Sequence, residues 1–256
     1  VGYPGGLPGD GWKQKEKHTA EGQLVAGVVT FKNAQANATL KEGKITISAG
    51  GEELGTLEKG NRKSPTLGAK PPEDAVVLYG GPDDADNWKG GKADEAGHLQ
   101  QGVTSNETFG DHTLHVEFKI PYQPEDGGQG RGNSGLYLQG RYELQMLDSF
   151  GLEGKQNECG GIYSVKEPDV NMAFPPLSWQ TYDVEYTAAK YEGDKLVSNP
   201  RVTVKHNGVV IHDDVELPGQ RNTTAAPVKA GPEPGPVYLQ NHGNPVRYRN
   251  IWAVRK

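Results

Sequence analysis

Residues 113 to 120 alternate without a break: Leu114, Val116, Phe118 and Ile120 are apolar, while Thr113, His115, Glu117 and Lys119 between them are polar. An extended chain sends successive side chains to opposite faces, so this period of two predicts a strand with one face in a core. Shorter runs of strand character recur at 24–31, 38–40, 44–48, 54–57, 76–79, 99–104, 135–138, 142–147, 160–165, 181–187, 201–206, 209–212, 236–240 and 246–254. No stretch keeps a helical period long enough for a long helix. Asn207-Gly208 between two runs predicts a two-residue hairpin, because both central residues of a type I′ turn need positive φ. Many short strands with no helical crossovers to carry a parallel sheet predict an all-β sandwich or jelly roll.

The 256 residues accommodate one main domain and a smaller N-terminal piece. Residues 1–22, rich in Gly, Pro and Lys, read as a surface lead-in, and the runs between 24 and 57 as a small β accessory unit that covers a sheet edge. The Pro-rich stretch 60–74 reads as a rigid, extended connection, since Pro fixes φ and turns its predecessor away from helix. The expected boundary is therefore 1–74 for the extension and 75–256 for the main domain. The 36 Gly and 18 Pro suit this turn-rich organisation.

A net charge of -6 and the lack of a Lys/Arg cluster argue against nucleic acid as a partner. No apolar run reaches the roughly 18 residues that a membrane span needs. Cys159 is the single cysteine, which excludes an internal disulfide and reads as a small buried hydrophobe. The Met-less start looks processed, and with it goes the expectation of a periplasmic or secreted location. Nothing in the pattern fixes an oligomeric state.

Candidate chemistry gathers at strand ends. In the run 142–147, Tyr142, Leu144 and Met146 share one face and Glu143, Gln145 and Leu147 the other. Arg131-Gly-Asn-Ser-Gly forms a turn leading into a strand, and Gln240, Asn241 and His242 close another. Strict alternation over 246–254 places Arg247, Arg249 and Ile251 on one face and Tyr248, Asn250 and Trp252 on the other. Carboxylates, amides, imidazole and guanidinium beside aromatics such as Tyr137, Tyr163 and Tyr248 suit a sugar, whose hydroxyls want planar hydrogen-bonding groups and whose ring wants a stacking surface. A core role is the competing reading for each Tyr.

The motifs Phe109-Gly-Asp-His-Thr-Leu-His-Val-Glu-Phe, Gly132-Asn-Ser-Gly-Leu-Tyr, Tyr142-Glu-Leu-Gln-Met-Leu-Asp, Gly160-Gly-Ile-Tyr, Ser178-Trp-Gln-Thr-Tyr, Gly235-Pro-Val-Tyr-Leu-Gln-Asn-His-Gly and Val246-Arg-Tyr-Arg-Asn-Ile follow in that order. Together they resemble the 3-keto-disaccharide hydrolase (3-keto-glycoside hydrolase) family over about residues 75 to 256. The resemblance implies a concanavalin-like jelly roll of laminarinase type and action on glycosides oxidised at C3. It implies catalytic roles for Glu143, His242 and Asp148, and substrate contacts from Asn133, Gln145, Arg249, Arg131, Tyr163, Gln240 and Arg247.

Two carboxyls of a retaining glycosidase stand about 5 to 5.5 Å apart, and those of an inverting one about 6.5 to 9.5 Å. Five residues of extended strand put Glu143 and Asp148 about 16 Å apart and on opposite faces. Only a bulge near Leu147 would bring Asp148 back. A 3-keto sugar relaxes this requirement, because the ketone acidifies the C2 proton and allows elimination of the C1 substituent through an enolate. That route asks for a base, Glu143 or His242, and a stabiliser of the enolate, Arg249, with Asn133 and Gln145 as positioning groups. A divalent cation, calcium or magnesium, held by carboxylate and His is an alternative stabiliser, although no ligand spacing demands one. The competing readings are a non-catalytic glycan-binding jelly roll and an ordinary endo-glucanase.

Overall fold

The alternating runs become nineteen strands in the computed structural model, which describes residues 7–12, 16–32 and 36–256. Part of the 1–22 lead-in lies outside the described residues. The chain divides into two units, Val1–Arg62 and Lys63–Lys256. The first holds an antiparallel meander of β1 (Gly22–Val25), β2 (Val28–Lys32), β3 (Asn37–Lys41), β4 (Lys44–Ala49) and β5 (Glu52–Glu58). The run at 24–31 is thus two strands, not one. Ala26 (φ 48) and Gly27 (φ 79) turn the chain between them in the left-handed region that a type I′ hairpin requires.

The second unit is an all-β sandwich. One sheet has the order β17 (Val209–Glu216), β16 (Arg201–His206), β13 (Trp179–Thr187), β10 (His112–Lys119), β19 (Arg247–Arg255) and β6 (Val76–Tyr79), with β8 (Leu99–Gln100) also paired to β19. The other has the order β12 (Tyr142–Met146), β11 (Ser134–Leu138), β18 (Gly235–Leu239), β9 (Val103–Phe109) and β7 (Trp88–Lys89). A small hairpin, β14 (Lys190–Glu192) with β15 (Lys195–Ser198), stands apart from both sheets. Among the described residues no helix is long and apolar enough to cross a membrane.

The core is supplied as the alternation predicts. Leu114, Val116 and Phe118 of β10 and Tyr182, Val184 and Tyr186 of β13 are buried, as are Leu136, Leu138, Leu144 and Met146 of the facing sheet. Buried phenols need a polar partner, and here they span the layers. Tyr182 Oη donates to the Gln145 carbonyl at 2.7 Å, Tyr186 Oη to Gln139 Oε1 at 3.0 Å, and Tyr248 Oη shares a 2.5 Å hydrogen bond with Ser134 Oγ.

Two expectations change. Residues 160–165 form no regular strand: Gly160 (φ +87) and a tight turn that returns Lys166 to Ile162 break the run. The segment still lines the edge of β12, through Gln145 N to Gly161 O (2.8 Å), Gly160 N to Gln145 O (3.0 Å) and Tyr163 N to Glu143 O (3.0 Å). In β19 strict alternation fails, because the pairing with β10 shifts register between His115 and Glu117 and Asn250 takes a left-handed φ of 45. Asn tolerates that conformation, and a bulge puts successive residues on one face. Tyr248, Ile251 and Ala253 are therefore the buried core positions, while Arg249 and Asn250 both reach Glu117 on the outer face.

That outer face is where the Pro-rich stretch lies. Ser64 Oγ meets Thr181 Oγ1 at 2.6 Å, Thr66 Oγ1 donates to Asp183 Oδ2 at 2.7 Å, and Gly68 N donates to Glu117 Oε1 at 2.5 Å. Asn250 Nδ2 donates to the Ala69 carbonyl at 2.9 Å. The polar side of β10 is consequently buried, with His115 and Glu117 each 1% exposed. The Asn207-Gly208 hairpin (φ 51 and 81) also abuts this segment, and a Cβ on Gly208 would lie 2.3 Å from Pro65 Cγ. Gly208→Ala is expected to cost about 2 kcal/mol from the left-handed backbone, plus the collision, and urea unfolding measures it.

Candidate active site

Register on the five-stranded sheet assembles a second polar surface. Gly135 of β11 lies opposite Gln145 and Tyr137 opposite Glu143, while on its other side Tyr137 lies opposite Tyr238 of β18. Their faces follow from the core assignment: Leu136, Leu144 and Met146 point inward, so Gly135, Tyr137, Glu143 and Gln145 point outward. Gln240, just past β18, donates its backbone N–H to Gly135 O at 2.9 Å.

Glu143 sits at the centre of this surface with 3% exposure. Tyr137 Oη donates to its Oε2 at 2.8 Å and also lies 2.9 Å from the Thr224 carbonyl. Gln240 Nε2 donates to Tyr137 Oη at 3.0 Å. Thr223 Oγ1 accepts the Glu143 backbone N–H at 2.9 Å, so the loop after β17 closes over one side. Burial pushes the Glu143 carboxyl from 4.5 up to about 7, and the Tyr137 hydrogen bond offsets only part of that. Burial, followed by the Glu143 charge, pushes the Tyr137 phenol far above its ordinary range, so the phenol stays protonated. A carboxyl titrating near neutrality can take and return protons in one catalytic cycle.

Amides surround it. Gln145, 1% exposed, donates from Nε2 to Gln129 Oε1 at 3.2 Å. Asn133 Nδ2 donates to the Gln129 carbonyl at 2.7 Å, and its backbone N–H donates to Asn244 Oδ1 at 2.9 Å. Gln129 Nε2 in turn donates to the Asn157 carbonyl at 2.7 Å. Two buried acceptors, Asn133 Oδ1 and Gln240 Oε1, have no hydrogen-bond partner among the described residues. Tyr163 is half-buried beside this group, near enough to act electrostatically on Tyr137.

Of the remaining sequence candidates, His242 and Arg131 border this group along the chain, next to Gln240, Asn244, Gln129 and Asn133, whereas Arg247 and Arg249 do not. Asp148 falls beyond the end of β12, whose pairing with β11 runs without a register shift as far as Met146. Its carboxylate pairs with Arg131 Nε at 3.1 Å, so both are engaged with each other. His242 is exposed in the loop between β18 and β19. Arg249 and Arg247 do not join Glu143, because they stand on the outer face of the opposite sheet, across the core. There Arg249 Nε pairs with Glu117 at 2.7 Å and its guanidinium covers the Trp179 ring at 4.1 Å, while Arg247 Nε pairs with Asp94 at 3.0 Å. Arg249 therefore cannot serve as the enolate stabiliser expected from its motif. Cys159 is fully buried against Tyr182, and burial pushes its thiol up to about 11.

Sequence reading missed Gln129, Gly135 and the Thr223–Thr224 loop, and placed Tyr137 only as a stacking candidate. Gly135 alone carried a signal, since a glycine inside a strand marks a close approach. Among the described residues no three His, Cys, Asp or Glu side chains are grouped to hold a metal ion. Glu143 with its amide neighbours therefore offers a hard cation oxygen ligands but no such group of charged ones, and no step is routed through a cation.

The model of the 3-keto-alpha-glucoside-1,2-lyase-like domain matches residues 74–254. A provisionally named glycosyl hydrolase from Parabacteroides distasonis ATCC 8503 has a solved structure that is 32% identical, with a TM-score of 0.63 over 72% of this chain and 85% of that one. A second such structure from the same organism, 18% identical with a TM-score of 0.51 over 72% and 95% of the two chains, shares the fold. No curated protein matches the sequence. With the match extending across both sheets of the sandwich, the chain belongs to the 3-keto-alpha-glucoside-1,2-lyase-like family.

Proposed function

We propose that this domain cleaves the C1–O bond of 3-keto-disaccharides or 3-keto-glucosides by elimination across C1 and C2, with Glu143 as the proton-transfer group. Membership of the family and the likeness to a glycosyl hydrolase support the coarser statement, a glycoside-cleaving function. The observation that supports the finer one is a buried carboxyl, held by Tyr137 and brought by burial to about 7, with the next acid in the motif, Asp148, tied to Arg131. Paired-carboxylate hydrolysis needs a second acid within about 10 Å on the same face, whereas elimination needs one base.

In the proposed step the ionised carboxylate takes the C2 proton, and its electron pair forms the enolate with the C3 carbonyl. The enolate then expels the C1 oxygen, which leaves as an alcohol on receiving the proton from Glu143, and the sugar remains as a 3-keto glycal. Addition of water across C1 and C2 restores a 3-keto monosaccharide. In this reading Asn133 and Gln240 contact the sugar, and a small side-chain turn that uncovers Asn133 Oδ1 and Gln240 Oε1 would give these buried, partnerless atoms a hydroxyl donor. Asn133→Ala is therefore expected to raise KM about tenfold with a smaller change in kcat, measured by steady-state kinetics on a 3-keto-disaccharide.

Incubation with a 3-keto-disaccharide and, separately, its unoxidised parent tests the reading. Release of monosaccharide and glycal only from the keto sugar is expected, and C2 deuteration should slow it. Equal cleavage of both sugars would make the domain an ordinary glycosidase, and binding of the parent without turnover would make it a lectin.

A further inference from the structure

We propose that Tyr137 and Gly135 position the Glu143 carboxyl for proton transfer, the phenol by holding Oε2 and the glycine by leaving Oε1 free to meet the substrate. This rests on Glu143 being the proton-transfer group and adds how the sheet sets its geometry.

The two oxygens of Glu143 are treated differently by the fold. Oε2 receives the Tyr137 hydrogen bond at 2.8 Å. Oε1 leans over Gly135, where an added Cβ would fall 2.3 Å from it, 2.8 Å from Cγ and 2.9 Å from Cδ. Any other residue at 135 would occupy the place of the carboxyl. Gly135 has no positive φ, so backbone conformation does not demand a glycine there. Clearance for Glu143 does. Among the described residues the Tyr137 bond engages Oε2 and no hydrogen bond engages Oε1, which keeps its lone pairs for the substrate.

Tyr137 suits both protonation states of its neighbour. Its single proton has two acceptors in reach, Glu143 Oε2 and the Thr224 carbonyl at 2.9 Å, while Gln240 Nε2 donates to the same oxygen at 3.0 Å. When Glu143 is ionised, the phenol donates to it. When Glu143 has taken a proton on Oε1, the phenol still donates to Oε2, now a neutral carbonyl oxygen, so no buried group loses its partner. The bond to the ionised form is the stronger of the two, because it is charge-assisted. Removing the phenol oxygen therefore disfavours the carboxylate and raises the pH at which it forms.

Tyr137→Phe and Gly135→Ala, assayed beside Glu143→Gln on a 3-keto-disaccharide across pH 5 to 9, test this. Tyr137→Phe is expected to keep KM, lower kcat about tenfold at pH 7, and move the acidic limb of the kcat/KM profile upward. Gly135→Ala collides with the Glu143 side chain, Cγ included, rather than with backbone, so it is expected to lower Tm but still fold, while kcat falls about 100-fold. A Tyr137→Phe profile that superimposes on wild type, or a folded Gly135→Ala at the wild-type rate, would overturn the proposal. If Glu143→Gln is inactive in that case, the assignment of Glu143 stands and only its positioning fails. Full activity of Glu143→Gln would instead remove the functional reading beneath both.

Discussion

Glu143→Gln is expected to lower kcat/KM on a 3-keto-disaccharide by about three orders of magnitude, within the range that loss of a general acid or base commonly costs. The same change is expected to stabilise the fold at alkaline pH. Burial raises the folded carboxyl from 4.5 to about 7, so the folded state holds this proton more tightly than the unfolded chain does. Its contribution to stability is fullest below pH 4.5 and diminishes as the pH rises through about 7. A neutral amide escapes that loss, which amounts to about 3 kcal/mol at pH 8. Calorimetry at pH 5 and pH 8 should therefore show wild type and variant converging at the lower pH and separating at the higher. An inactive variant with no alkaline stabilisation would mean that the carboxyl is better solvated than its 3% exposure implies.

Glu117→Ala is expected to produce the largest loss of stability, with kinetics near wild type. Glu117 accepts from the Gly68 N–H, Asn250 Nδ2 at 3.0 Å and Arg249 Nε at 2.7 Å, and His115 Nε2 stands 3.7 Å away. Burial alone would raise its pKa, but these partners together hold it down at about 2. Truncation leaves a buried N–H and an amide without acceptors and frees residues 64–69 from the sheet, at a cost on the order of 3 kcal/mol. For a unit of this size that is a fall of about 10 °C in Tm. Scanning calorimetry measures the fall, and trypsin should cut earlier at Lys63 or Lys70 in the variant. The pH dependence has two sides. The Glu117 contribution is present above pH 4.5 and is lost as the pH falls through about 2. The His115 contribution has the opposite sign: burial depresses its pKa, but Asp183 at 2.6 Å and Glu117 outweigh that and raise it, so its stabilisation is present below pH 6.5 and is lost on alkalinisation.

The sequence by itself determined most of the sandwich. Period-two alternation marked β10 and β12 and assigned Leu114, Val116, Phe118, Leu144 and Met146 to the core, because burying one face of a sheet leaves no other option. Asn207-Gly208 located its hairpin for an equally local reason. Motif order carried the family and pointed to Glu143, Gln145, Asn133 and Gln240. What alternation could not show is which polar face is solvated. The polar side of β10 is buried under residues 64–69 and that of β12 under loops from 129 and 223, and both coverings come from distant parts of the chain.

Arg249 was misplaced because motif membership gives order along the chain, not the side of a sandwich; the Asn250 bulge comes after it and moves Ile251 and the residues that follow to the face opposite the one alternation assigns. Strand arithmetic gave a reason to expect Asp148 apart from Glu143, but its pairing with Arg131 was not legible in the sequence. Chemistry depends most on what only tertiary structure decided: the exclusion of water from Glu143, which a carboxyl in an isolated strand would never experience. Neutral titration comes from the burial of this one side chain, offset only in part by the Tyr137 hydrogen bond, an effect of surroundings that residue type and spacing do not encode.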